Sequence, residues 1–151
     1  MLTNLNLDPA DDPYDLRRFL AAQDGGRTYE RALAELRAGR KTTHWMWFVF
    51  PQLAGLGQSA MSRRYAIGSL EEARAYLAHP VLGPRLRECS QALLAHPDRS
   101  AAEILGGIDA VKLRSSMTLF VAADPTEPVF AAVLAHFCAG ARDQVTERLL
   151  A

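Results

Sequence analysis

Two Ser-x-x-Glu signatures, Ser69-Leu70-Glu71-Glu72 and Ser100-Ala101-Ala102-Glu103, each stand directly before an apolar stripe. A serine there accepts from a free amide at a helix start, and the glutamate reaches back to the preceding backbone. Similar punctuation divides the rest of the chain. Asp12-Pro13 is expected to open a helix, aspartate as the cap and proline with its preset φ at the first position. Leu16, Phe19 and Leu20 form its stripe, and Gly25-Gly26 ends it. Thr28 is expected to cap a second helix with Tyr29, Ala32, Leu33 and Leu36 on one face, stopping at Gly39. Ser59 caps a short piece reaching Tyr65. The helix after Ser69 carries Ala73, Tyr76 and Leu77 and ends at His79-Pro80, with Pro80 in the first turn of the next. That next helix has the longest periodic run, Val81, Leu82, Leu86, Cys89, Leu93 and Leu94. Gly106-Gly107 closes the helix opened at Ser100, and Asp109 is expected to cap one reaching about Ala123. Glu127-Pro128 starts another with Phe130, Val133, Leu134 and Phe137 on one side, and Asp143 caps the last. Period-two alternation is nearly absent: Phe48-Val49-Phe50 and Ser116-Met117-Thr118-Leu119-Phe120 are the strand-like pieces, and both are short. The expected class is all-α, one bundle of about seven to nine short and medium helices over residues 13–151. A flexible arm is expected over residues 1–12.

The composition narrows the function classes. Seventeen basic and seventeen acidic residues give zero formal net charge, which argues against a dedicated nucleic-acid-binding module with its usual basic excess. No apolar run approaches the roughly 18 residues of a membrane span, and Met1 to Pro9 lacks the basic-then-apolar order of a signal peptide. Cys89 and Cys138 fall in apolar helical contexts without metal-like spacing, as expected of buried small hydrophobes in a reducing cytosol. A cytoplasmic location is therefore expected; spacing alone leaves a disulfide open, and the oligomeric state is open too. No metal is expected, because His44, His79, His96 and His136 are scattered and form no H-x-x-x-H or H-E-x-x-H pattern. No nucleophile elbow is present, and Gly55-x-Gly57 and Gly106-Gly107 lack the strand context of a dinucleotide or phosphate loop, so no cofactor is expected. Arg85 and Glu88, three apart, are read as a helix-surface pair.

The segment His44-Trp45-Met46-Trp47-Phe48-Val49-Phe50-Pro51-Gln52 holds both tryptophans and two of the six phenylalanines. Trp45 and Phe48, or Trp47 and Phe50, would stack on opposite sides of a short helix, one for the core and one for a cavity. A tryptophan face suits a planar base or sugar, with His44 supplying a donor or acceptor at its edge. The alternative is that all four rings are core. Arg40-Lys41 before the segment could sit at a pocket mouth, or could simply complement a helix end. Far downstream, Lys112, Ser115 and Ser116 share one helical face opposite Leu113, Met117 and Phe120. A lysine beside two hydroxyls could hold a phosphate or act as an amine base or nucleophile; otherwise the face is solvated. Gln23, Tyr29 and Tyr65 are further polar residues at turns, read as pocket edges.

These segments carry a family resemblance. His44 to Leu53, Gly55-Leu56-Gly57, Tyr65-Ala66-Ile67, His79-Pro80-Val81-Leu82-Gly83-Pro84-Arg85-Leu86 and Lys112 to Phe120 resemble the signature of the bacterial domain-of-unknown-function 1810 family, sometimes labelled calpastatin. The resemblance runs from about Tyr14 to Phe137 and implies a small, mainly helical single domain without an established activity. The calpastatin label does not suit a chain with core-forming composition, since that inhibitor is long and disordered. A more distant similarity, through Ala22-Gln23 and a lysine on a late helix, is to the YbiA/NADAR domains, which implies cleavage of N-glycosidic bonds.

The expectation is a polar–aromatic cleft for a nucleotide-like or phosphorylated small molecule. Lys112 and His44 are its candidate catalytic residues, and Trp45, Trp47, Arg114, Ser115, Ser116, Gln23 and Tyr65 its candidate ligand contacts. The rival expectation is a non-catalytic module that docks a protein partner, or another copy of itself, through the His44–Phe48 surface.

Overall fold

The computed structural model describes residues 11–151. The expected N-terminal arm therefore lies outside the described residues except for Asp11 and Asp12. Among the described residues the chain is helical throughout, with nine α-helices of five or more residues and one isolated turn. They are α1 (Arg17–Asp24), α2 (Thr28–Ala38), the single turn α3 (Met46–Val49), α4 (Ala60–Arg64), α5 (Leu70–Ala78), α6 (Leu82–Leu94), α7 (Ala101–Leu105), α8 (Gly107–Ala123), α9 (Pro128–Phe137) and α10 (Gln144–Leu150). The β-type pairing among these residues is one parallel bridge, Leu53 with Ile67. Both strand-like pieces are helical, Phe48-Val49 in α3 and Ser116 to Phe120 in α8.

Most punctuation works as the side-chain chemistry requires. Ser59, Ser69, Ser100 and Asp143 each accept from the amide three residues on. Ser100 and Glu103 form the complete reciprocal box, and Pro128 takes the first position of α9 behind Glu127. Other starts differ. Asp12 accepts from the amides of Leu16 and Arg17 at 2.8 and 3.1 Å, so the chain makes a turn first and α1 begins one turn late. Thr28 is the first residue of α2, and its hydroxyl donates to the Gly25 carbonyl. Glu72 accepts from Gly68 rather than Ser69, and its other oxygen takes Arg18 at 2.8 Å. Pro80 stays outside α6, whose first amides are met by His79 Nδ1. Asp109 lies in the first turn of α8 and Gly106 caps it, which releases the aspartate for other work. Arg85 pairs with Asp24 at 2.8 Å, while Glu88 takes Tyr29 and Arg37, so the expected Arg85–Glu88 pair does not form.

The core is organised around α8. From Ser115 to Val121 every residue of this helix is buried, the mark of a helix covered on all sides. It packs against α5, α7, α9 and α10, and α6 closes the bundle against α2, α5 and α9. Rings run through the centre from Tyr65 to Phe19, Tyr76, Phe120 and Phe130, with successive centroids 5.1–5.9 Å apart, within the range for tilted and edge-on contacts. At the α5–α6 corner a Cβ on Gly83 would meet the Leu77 carbonyl oxygen at 2.1 Å, so that crossing needs glycine. Cys89 and Cys138 are both free and buried. No helix of the described residues is long and apolar enough to cross a membrane.

Candidate functional site

Glu35 builds the region. α2 ends at Gly39 with φ 77°, and the chain doubles back over the last turn of that helix. There the Glu35 carboxylate accepts from the amides of Thr42 and Thr43, the Thr43 hydroxyl and the Trp45 indole N–H, at 2.6–3.0 Å. Burial alone would raise its pKa; these four donors outweigh it and bring the group down to about 2. The Lys41 amide donates to the Ile104 carbonyl at 2.7 Å, which ties the same loop to the end of α7. The loop is thereby laid against the start of α8.

Two distant segments meet there. Asp109 Oδ2 lies 3.0 Å from Lys41 Nζ and Oδ1 lies 3.7 Å from Lys112 Nζ. Each ammonium also stands over an indole, Lys41 at 5.1 Å from the Trp45 ring centre and Lys112 at 5.3 Å from that of Trp47, inside cation–π range. The expected neighbourhood of the aromatic segment and Lys112 therefore exists, with Asp109 as the joint.

The other expected residues divide by burial. Trp45 is fully buried and bonded to Glu35, so its face serves the core. Met46, Phe48 and Phe50 are buried as well, and of the segment's tryptophan and phenylalanine rings only Trp47 reaches the surface, half-buried. Ser115 and Ser116 are buried because α8 is enclosed from this turn onward. Ser115 donates to the Val111 carbonyl, and Ser116 Oγ has no hydrogen-bond partner among the described residues. Gln23 is a core bracket: its amide donates to the Phe48 carbonyl at 2.7 Å and its oxygen accepts from Arg85. Tyr65 packs between Phe19 and Phe48 on the far side of α3. Tyr29 is buried beneath Arg85 and donates to Glu88. His44, Arg40 and Arg114 are exposed.

Glu35 and Asp109 are not among the site residues the sequence motifs point to, and for Lys41 the sequence offers a pocket mouth or a helix-end cation. One signal in the composition points to them. Of seventeen cationic residues fifteen are arginine, so Lys41 and Lys112 are the only lysines, as Trp45 and Trp47 are the only tryptophans. Both lysines meet on Asp109, and each stands over one of the two tryptophans. Lysine and arginine are not interchangeable: a compact ammonium on a flexible stem fits beside one carboxylate oxygen and over one ring, where a planar guanidinium would demand more room. Among the described residues no group of three or more histidine, cysteine, aspartate or glutamate residues is placed to hold a metal ion.

The comparisons fit this picture of a helical domain without an assigned chemistry. No curated protein matches the chain. Its structure is similar to the crystal structure of a conserved hypothetical protein from Mycobacterium tuberculosis, with 52% identity over 92% of this chain and 98% of that one, at a TM-score of 0.89. The family model described as a protein of unknown function, DUF1810, matches residues 13–150. With that match spanning nearly the whole chain, the protein belongs to the DUF1810 family.

Proposed function

We propose that the protein binds a small anionic molecule bearing a planar group, such as a nucleotide or another phosphorylated ring compound, at the Lys112–Trp47 end of the two-lysine cluster. The observation that carries the reading is that both lysines meet on Asp109 and each stands over one of the two tryptophans. Lys112, the more open of the two ammonium groups on that carboxylate, stands over an indole that is still partly open. Lys112 is the ligand-facing member: its side chain is 22% exposed against 8% for Lys41, and its contact to Asp109 is longer. A loose, partly solvated ion pair is worth ~1 kcal/mol or less, so an incoming anion can draw Lys112 away from Asp109 at small cost. His44, beside Trp45, is exposed and able to extend the polar rim, whereas Arg114, exposed two positions further along α8, leaves that helix on a different face from Lys112.

The proposal is confined to binding. Both carboxylates of the region are engaged, Glu35 by four donors and Asp109 by two cations, and Glu35 with a pKa about 2 stays ionised at neutral pH. N-glycosidic cleavage therefore gains no support from a free acid here. The rival reading, docking through the His44–Phe48 surface, has less apolar surface to work with, because Trp45, Met46 and Phe48 are buried and only His44 and the half-buried Trp47 are accessible.

The test is a melting-temperature screen against AMP, ADP-ribose and sugar phosphates at constant ionic strength. One class should raise the melting temperature saturably in the native protein, and Lys112→Met and Trp47→Ala should each abolish the rise. Flat curves throughout, or a rise that survives both substitutions, would reject the reading.

A further inference from the structure

Independently of the lysine cluster, the hollow between the Gln52–Gly57 loop and α4 has the makings of an anion site. Its volume is about 240 Å3, below the ~300–1,000 Å3 typical of sites for drug-sized ligands. Its polar walls come from Gln52, Gly55, Gly57, Ser62 and Arg63, and no acidic residue lines it. The contrast is the 580 Å3 hollow beside α1, where Asp15 and Asp24 stand among Arg17, Arg18 and Arg64 and already supply negative charge.

The loop is held in shape by contacts that leave its donors unused. The Ile67 amide donates to the Gln52 carbonyl, and the Ala54 amide to the Ile67 carbonyl, both at 2.8 Å. Beyond that bridge the amides of Gly55 and Gly57 meet no acceptor among the described residues. Gly55 takes φ 100°, a backbone conformation that favours glycine. A Cβ on Gly57 would meet Ser62 Cβ at 2.4 Å, so glycine lets the loop press against α4. Ser59 donates its hydroxyl to Ser62 Oγ at 2.9 Å, which leaves the Ser62 proton to point elsewhere. The Gln52 side-chain amide and the Arg63 guanidinium have no hydrogen-bond or ion-pair partner among the described residues.

We infer that this hollow binds a phosphate group, free or as the end of a small monoester, through the Arg63 guanidinium, the Ser62 hydroxyl, the Gln52 amide and the Gly55 and Gly57 amides. Uncommitted donors around a small, carboxylate-free hollow match the acceptor-only surface of a phosphate dianion, and bonds to a charged partner are the stronger kind.

The experiment titrates inorganic phosphate, and in a parallel arm ribose 5-phosphate, against chloride-matched solutions, following backbone amide resonances. Saturable shifts of the Gly55 and Gly57 amides are expected, with affinity reduced about tenfold in Arg63→Ala and reduced in Ser62→Ala. Arg64→Ala, the neighbouring arginine, should leave the affinity within about twofold of the native value. Lys112→Met should also leave it unchanged, which separates this site from the lysine cluster. Tighter binding of the monoester identifies the ligand as the end of a phosphorylated molecule, and equal or weaker binding identifies phosphate itself. Shifts absent from Gly55 and Gly57, shifts centred on Lys41 and Lys112, or equal losses in Arg63→Ala and Arg64→Ala would each overturn the inference.

Discussion

Lys41 on Trp45 and Lys112 on Trp47 are the same pair of residue types, share one carboxylate, and sit at nearly the same height over their rings. They differ in what lies beneath. Trp45 has no exposed surface and gives its N–H to Glu35, so the first pair seals a loop onto the bundle. Trp47 is half-buried and its lysine more open, so the second pair faces solvent with little holding it. One ammonium–indole pair is a clamp and the other a candidate contact for ligand. Residue type alone does not assign either role; the difference comes from the hydrogen bonds of the neighbouring carboxylate.

The clamp should break hardest. Lys41→Met leaves Asp109 with one loose partner and removes a largely desolvated pair, where losing one member costs about 3–5 kcal/mol in a fully buried setting. A loss of about 2–4 kcal/mol is expected in this partly buried one, measured by urea unfolding. Glu35→Gln comes next: the amide keeps the size but loses the charge that four donors address, at an expected cost of ~2–3 kcal/mol. For a chain of this length that is a fall of about 5–10 °C in melting temperature.

The same carboxylate sharpens the comparison through pH. With a folded pKa about 2 against an ordinary value of 4.5, the stability Glu35 supplies is fully present above pH ~4.5 and is lost as pH falls through about 2. The stability gap between native protein and Glu35→Gln should therefore be widest near neutrality and narrow steadily between pH 4.5 and 2. A gap that stays constant across that range would mean the carboxylate's charge is not what anchors the loop. Lys112→Met, by contrast, should change stability by less than ~1 kcal/mol. The smallest effect belongs to the rings: Trp47→Phe should cost within about 1 kcal/mol and leave a protein whose remaining tryptophan resists acrylamide quenching.

The fold was legible because helix starts and stops are local chemistry. Ser100 with Glu103, Asp143 and Glu127-Pro128 announce themselves within three or four residues. The misplaced starts have different causes: Asp12 caps a preliminary turn before α1, Thr28 bonds back to Gly25 from inside α2, and Asp109 is taken by the distant Lys41. The candidate site was half legible. The meeting of the aromatic segment with Lys112 was expected, whereas the part played by Glu35 depends on a loop folding back across α2, which no periodicity reveals. Ser115 and Ser116 misled because a polar triplet on a helix suggests an exposed face, while enclosure of α8 by four helices makes small residues useful inside. The pairing of the chain's two lysines with its two tryptophans was visible in the composition, but only geometry gives that coincidence meaning.

The most direct test uses Trp45→Phe, in which Trp47 is the sole tryptophan and reports on its own lysine. Titration with AMP at constant ionic strength should give a saturable change in Trp47 emission, and adding Lys112→Met should abolish it. An emission that does not respond to AMP, or that responds equally with and without Lys112, would contradict the assignment of the open lysine–tryptophan pair as the binding end of the cluster.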